Sequence, residues 1–177
     1  MTKFILHGGY TKFRNKDNDD FYKEMTTGYS GEVRVLINCF ARDDDQVLDR
    51  YERHKRRFLL HSANKKLEFK AANLEEFESQ VRWANVIYID GGDTFQLVKK
   101  LSLTRNLEKL LEDKVVGGSS AGVYALAKYY YGNNSKKLGK GLGILNIKAY
   151  CHYEPKDRAI VTKLNSYREN LPLLVLP

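Results

Sequence analysis

Short apolar runs that stop at glycine constrain this chain more than any other feature. Lys3-Phe-Ile-Leu-His7 runs into Gly8-Gly9, Val86-Ile-Tyr-Ile89 into Asp90-Gly91-Gly92, and Lys114-Val-Val-Gly117 into Gly118-Ser-Ser-Ala-Gly122. Such runs read as strands buried on both faces, the pattern of a parallel sheet. Two further strands are predicted at 33–38 and 67–71. Helices alternate with them. Val47, Leu48, Tyr51, Phe58 and Leu59 recur at helical spacing, and Asn73 is placed to cap a helix carrying Leu74, Phe77 and Val81. Phe95, Leu97, Val98 and Leu101 mark another helix, and Val123, Leu126, Ala127 and Tyr130 predict one behind the last glycine turn. Residues 132–143 read as a polar, glycine-rich loop, and Leu173–Leu176 as a final strand. Strands separated by helices need crossover connections. The expected fold is therefore α/β, a three-layer α/β/α doubly wound domain with a mostly parallel sheet. Ligands bind beyond the carboxyl ends of such strands, so the three glycine segments should share one functional edge.

Size and charge remove other classes. The 177 residues suit one domain spanning 1–177, and 42% hydrophobic content argues against disorder. No apolar run approaches the ~20 residues of a membrane span, and Met1–Tyr10 has no signal-peptide layout. Cytoplasmic location is the expectation. The formal net charge is +8. Basic residues are interspersed with acids, and the dense cluster Arg53–Arg57 lies on a predicted helix whose solvated face explains it, which argues against nucleic acid as partner. Cys39 and Cys151 are too few for a disulfide framework. There is no metal-site spacing and no dinucleotide fingerprint, so neither metal nor cofactor is expected.

The strongest chemical signal is Gly118-x-Ser120-x-Gly122 between an apolar strand and an amphipathic helix. This is the pattern of a nucleophile elbow, where a strained corner exposes the serine hydroxyl at a helix N-terminus. A glycine-rich anion-binding turn is the competing reading. A nucleophilic serine needs a base, and four histidines are available. His54 and His61 fall on the long basic helix, where packed or solvated histidines are usual. His7 ends the first strand with nothing beside it that argues for proton transfer. His152 follows the apolar stretch ending at Cys151, on the same edge as Ser120, and is the best candidate; Cys151 itself reads as a buried strand residue. The short stretch between Ser120 and His152 leaves little room for the intervening strands of an ordinary α/β-hydrolase.

Taken in order, Ile87-Tyr-Ile-Asp-Gly-Gly-Asp-Thr-Phe-Gln-Leu97, Gly118-Ser-Ser-Ala-Gly122, Cys151-His-Tyr153 and Leu173-Leu-Val-Leu-Pro177 resemble the peptidase E family of serine peptidases, the aspartyl dipeptidases related to cyanophycinase. The resemblance covers the chain from about residue 33 onward. It implies a glutamine-amidotransferase-like α/β/α fold, with Ser120 as nucleophile and His152 as base. It also implies an oxyanion hole from the amide of Gly91 or Gly92 together with that of Ala121, and a short peptide as substrate. Asp93 and Thr94, beside that hole, are expected to contact substrate. Arg158 resembles the family's substrate-binding arginine across a shorter loop and would clamp a carboxylate; a plain surface-helix role competes, and Lys156 and Lys163 are rival cations.

Three departures stand out. The family's glycine triplet reads Asp90-Gly91-Gly92 and its Asn-Thr reads Asp93-Thr94, and a carboxylate beside the oxyanion hole would repel the developing charge or bind a substrate ammonium. The acidic third member of the triad has no counterpart among residues 132–142. Asn134 is the expected substitute, since an amide can orient an imidazole without stabilising its charge, and Glu154 is the alternative. Lastly, the family continues past Leu-Pro, so a chain ending at Pro177 is expected to be truncated or trimmed at its sheet edge. Two functions follow: a serine peptidase acting on short peptides, including Asp-X dipeptides, or a weakened relative that binds a small molecule or partner in the same pocket. An amidotransferase role is disfavoured, because those enzymes carry cysteine where Ser120 stands.

Overall fold

The computed structural model describes residues 1–11, 13, 15–62 and 66–177. Five strands, β1 (Lys3–His7), β2 (Val33–Asn38), β3 (Leu67–Ala71), β4 (Val86–Ile89) and β5 (Val115–Ser119), form one sheet in the order β1-β5-β4-β2-β3. Every pairing in it is parallel. Because side chains alternate along a strand, the two faces carry two separate cores. Val33, Val35, Ile37, Val86, Tyr88 and Val115 pack against α1 (Lys16–Met25) and α2 (Asp44–His61). Leu36, Ile87, Ile89 and Val116 pack against α3 (Phe77–Trp83), α4 (Thr94–Leu101), α5 (Leu107–Leu110) and α6 (Ala121–Leu126). This is the expected three-layer, doubly wound arrangement. From β2 the chain winds outward to β3 on one side and to β4 and β5 on the other, so the crevice for a ligand opens beyond the ends of β2 and β4.

The segment after the elbow departs from expectation. The predicted helix through Tyr130 stops at Leu126, and Ala127–Gly132 is a strand, β6. Tyr129, Tyr130 and Tyr131 favour extended backbone, and their alternation suits a two-sided strand. Tyr129 and Tyr131 enter one apolar cluster, while Tyr130 stacks on Tyr124 with ring centroids 4.9 Å apart. The predicted loop 132–143 contains a further strand, β7 (Lys137–Lys140), antiparallel to β6. With β8 (Leu145–Tyr150) and β9 (Leu173–Val175) they form a second sheet, ordered β7-β6-β8-β9, covered by α7 (Arg158–Asn165) through Leu164.

Two other elements differ from the reading of the sequence. No element was expected between His7 and Val33, yet α1 lies there, capped by Asn15, whose side chain accepts from the Asn18 amide at 2.8 Å. Asn73 caps the turn before α3 rather than the helix itself, accepting from the amides of Glu75 and Glu76. Among the described residues, no helix is long and apolar enough to cross a membrane.

Helix α6 is pressed onto the end of β4. A Cβ on Gly122 would lie 2.4 Å from the carbonyl oxygen of Ile89, a backbone atom with no freedom to turn aside. Gly122→Ala is therefore expected to cost about 1–3 kcal/mol, as overpacking does, and to lower Tm by roughly 3–10 °C. Thermal denaturation followed by circular dichroism checks this, and an unchanged Tm would contradict the close approach.

Candidate active site

Ser120 stands at the junction of β5 and α6 with φ 51 and ψ −106, a conformation L residues seldom adopt. Strain of this kind costs about 1–3 kcal/mol and persists only where the surroundings enforce it. Here the Ser120 amide donates to the His7 carbonyl at 3.0 Å, carrying the parallel pairing of β1 and β5 one residue into the turn. The result is that Ser120 Oγ lies 2.8 Å from Nε2 of His152. If the hydroxyl donates, Nε2 is the acceptor and the ring proton resides on Nδ1.

His152 follows β8, also with a positive φ of 57. Its ring fits only because residue 9 is glycine: a Cβ there, at φ +130, would fall 2.0 Å from Cε1 of the imidazole. The His7 side chain holds Gly9 in place by accepting its amide hydrogen bond on Nδ1 at 3.0 Å. Tyr10 closes the other side edge-on, with ring centroids 4.5 Å apart. Burial by these neighbours lowers the His152 pKa below the ordinary 6.5, so the ring is a neutral base at pH 7. Cys151 beside it is wholly buried, with its thiol pushed up to about 12 by burial, and is no nucleophile.

The expected orienting partner is not in place. His152 Nδ1 is buried and makes no hydrogen bond among the described residues. Asn134 lines the same cavity but does not bond the ring, and Glu154 is engaged with Lys156 and with capping the turn at Pro155–Asp157. Asn133, one residue earlier, bonds the backbone beside His152 rather than its ring. Its Nδ2 donates to the Cys151 carbonyl at 3.1 Å, while the Tyr124 hydroxyl donates to its Oδ1 and accepts from the Cys151 amide at 2.9 Å. These bonds fix the peptide that precedes His152.

The oxyanion candidates also sort themselves. The Gly91 amide already donates to Asp90 Oδ1 at 2.7 Å, which leaves Gly92 as the partner for Ala121. Gly91 instead lies against the nucleophile, its Cβ position 3.2 Å from Ser120 Cβ. The Asp90 carboxylate does not stand free in the cavity. It is 1% exposed and held by Arg50 in a bidentate pair at 2.7 and 2.8 Å, with His54 Nε2 at 3.0 Å. Burial alone would raise its pKa, but His54 and Arg50 outweigh burial and keep it well below the usual carboxylate range. Asp93 caps α4 by accepting from the Gln96 amide at 2.7 Å, and Thr94 reaches the cavity beside Ser120.

Two cavities flank the Ser120–His152 pair. One, of about 360 Å³, is lined by Arg42, Arg50, Arg53 and Asp90. The other, of about 640 Å³, is walled by Phe95, Tyr124, Tyr130 and Leu138. Arg158 lines neither; it is exposed at the start of α7, as are Lys156 and Lys163 on that segment. The cations at the site come instead from α2 and the loop before it. Part of the Arg53–Arg57 cluster is likewise not a solvated face, since His54 and Arg57 are buried. A signal for this existed: Arg50, Arg53 and His54 stand at i, i+3 and i+4, one face of the helix.

A doubly wound domain with a serine on a strained elbow, a neutral histidine on its hydroxyl and a glycine loop alongside is the architecture of a serine hydrolase. The chain matches the model of peptidase family S51 over residues 5–177 and belongs to that family. It is thus a peptidase by family. The fold is shared with a Listeria monocytogenes EGD-e structure that carries a peptidase E designation, at TM-score 0.68 and 18% identity, covering 99% of this chain and 90% of that one. It is shared too with a peptidase from an acI-B1 Actinobacterium, at TM-score 0.65 and 20% identity, covering 97% and 78%. No curated protein matches the chain significantly.

The lowered His152 pKa fixes the sign of the pH dependence. The base is competent above its pKa and lost as protonation sets in, so the acid limb of kcat/KM is expected below pH 6.5, with a plateau through neutrality. Initial rates on a non-ionising ester check this. An acid limb above 6.5 would contradict the half-buried setting of a ring with no charged partner.

Proposed function

We propose that this chain hydrolyses short peptides whose acyl-side residue is acidic, Asp-X dipeptides being the simplest, through an acyl-enzyme on Ser120. The observation that carries the reading is the 2.8 Å contact between Ser120 Oγ and His152 Nε2 at a strained elbow. In the proposed sequence, Nε2 takes the hydroxyl proton as Oγ attacks the carbonyl carbon, and the amides of Gly92 and Ala121 stabilise the oxyanion. The same proton then passes to the leaving amine, the C–N bond breaks, and water, activated by His152, releases the acid. The arginine-lined cavity supports the choice of an acidic side chain. Arg50 is held bidentately by Asp90, and Arg42, whose buried Nε makes no hydrogen bond, lies 3.5 Å from the same carboxylate, so one carboxylate serves two arginines; Arg53 pairs with the exposed Asp49.

One feature favours the weakened-relative alternative: the orphaned Nδ1 leaves the imidazolium without a stabilising partner, so slow turnover is expected. Hydrolysis of Asp-Ala, Ala-Ala and Lys-Ala, followed by chromatography of the released alanine, tests both readings. Asp-Ala is expected to be cleaved best, and Ser120→Ala to lose activity by at least about a thousandfold. Arg42→Gln is expected to raise KM for Asp-Ala about tenfold, as loss of a charged hydrogen bond does, with little effect on Ala-Ala. Equal cleavage of all three dipeptides would overturn the acidic preference, and no cleavage of any would favour the binding relative.

A further inference from the structure

Asp90 is the least expected residue of the site, an acid where an oxyanion-binding loop begins. Its carboxylate is nonetheless fully engaged. Oδ1 accepts from Arg50 Nη2 at 2.7 Å, from the Gly91 amide at 2.7 Å and from the Tyr88 hydroxyl at 3.3 Å, and lies 3.0 Å from His54 Nε2. Oδ2 accepts from Arg50 Nε at 2.8 Å and lies 3.5 Å from Arg42 Nε. Behind it, the far nitrogen of His54 shares a hydrogen bond with Tyr22 of α1 at 2.8 Å. The Asp90 amide donates to the Asn38 carbonyl at 2.9 Å. One side chain thus ties the first amide of the glycine loop to α2, α1 and β4, while its own backbone is tied to the end of β2.

A buried ion pair is a poor source of net stability, because desolvation offsets much of its attraction. What such a clamp does supply is a single conformation. We propose that Asp90 is a positioning residue for catalysis: clamped bidentately by Arg50, with His54 packed beside it, it locks Gly91 and thereby sets the following peptide so that the Gly92 amide faces the oxyanion formed on Ser120. The inference rests on the serine-hydrolase reading above. It differs from a substrate-binding role, since the carboxylate is 1% exposed and its oxygens are already taken. It differs from a purely structural role in where the loss should fall. An oxyanion donor acts on the transition state and leaves ground-state binding alone, so its displacement lowers kcat rather than raising KM.

The test uses p-nitrophenyl acetate, a neutral ester that the arginines neither attract nor repel. Asp90→Asn is expected to lower kcat about 10- to 100-fold, part of the loss seen when an oxyanion donor is removed outright, with KM changed by less than about twofold. The acid limb of the pH profile should stay where it is in the parent, because Asp90 does not touch His152. Should the unpaired Arg50 prevent folding, the double variant Asp90→Asn/Arg50→Gln removes both charges and carries the same comparison. A folded variant with kcat within about twofold of the parent overturns the inference, as does a rise in KM at constant kcat. Loss of folding in both variants makes the clamp a structural element and also overturns it. A parent protein that does not turn over the ester, or a Ser120→Ala variant that does, overturns the serine-hydrolase reading itself, a result separable from the Asp90 comparison.

Discussion

The hydrogen bond from the Ser120 amide to the His7 carbonyl is where the sheet becomes a site. It extends the β1–β5 pairing by one residue beyond the strand, and in doing so holds Ser120 at a positive φ that an unconstrained serine would leave. Everything around it is arranged to tolerate that corner. Gly122 lets α6 press against the Ile89 carbonyl, Gly91 lies against the serine Cβ, and Gly9 clears the volume that the His152 ring occupies. Three strand ends, β1, β4 and β5, therefore meet at one hydroxyl, which is why a parallel sheet rather than any particular loop determines the chemistry.

Electrostatics at this edge follow from the same packing. His152 is half-buried without a charged partner, which favours the neutral ring, whereas Asp90, far more deeply buried, is ionised because His54 and Arg50 compensate the loss of water. The two groups illustrate opposite outcomes of burial, one without a charged partner and one with several. The flanking cavity is lined by Arg42, Arg50 and Arg53 with Asp90, so positive groups outnumber negative ones along it. Asn133 and Tyr124, by gripping the Cys151 peptide, give the base a fixed position although its ring lacks an orienting hydrogen bond.

Much of this was legible in the sequence, and the reason is physical. Apolar runs ending in glycine mark buried parallel strands whose ends converge, so the three-layer fold and the Ser120–His152 pairing could be read without coordinates. Elements with a weak apolar signature were not: α1 buries only a few residues among many charges, and the tyrosine run of β6 satisfies helical and strand spacing alike until the second sheet settles it. Neither loop asparagine bonds the His152 ring; Asn133 grips the Cys151 carbonyl instead, and loop placement of this kind depends on side-chain bonds rather than on pattern. Arg158 lies away from both cavities, and the arginines that do line one, Arg50 and Arg53 of α2 with Arg42 before it, sit on or beside a helix face that reads in sequence as ordinary solvated surface. Asp90 was seen as an anomaly, but its partners Arg50 and His54 lie far away in sequence, and only the fold brings them together.

The central claim is that Ser120 is a nucleophile activated by His152 on a strained elbow. Covalent trapping reads this most directly: the protein is treated with a fluorophosphonate, digested, and the modified residue located by mass spectrometry. One adduct per chain is expected, on Ser120, abolished in His152→Ala as well as in Ser120→Ala because the hydroxyl alone is unreactive. Modification elsewhere, or undiminished labelling of Ser120 in the His152→Ala variant, would contradict the account.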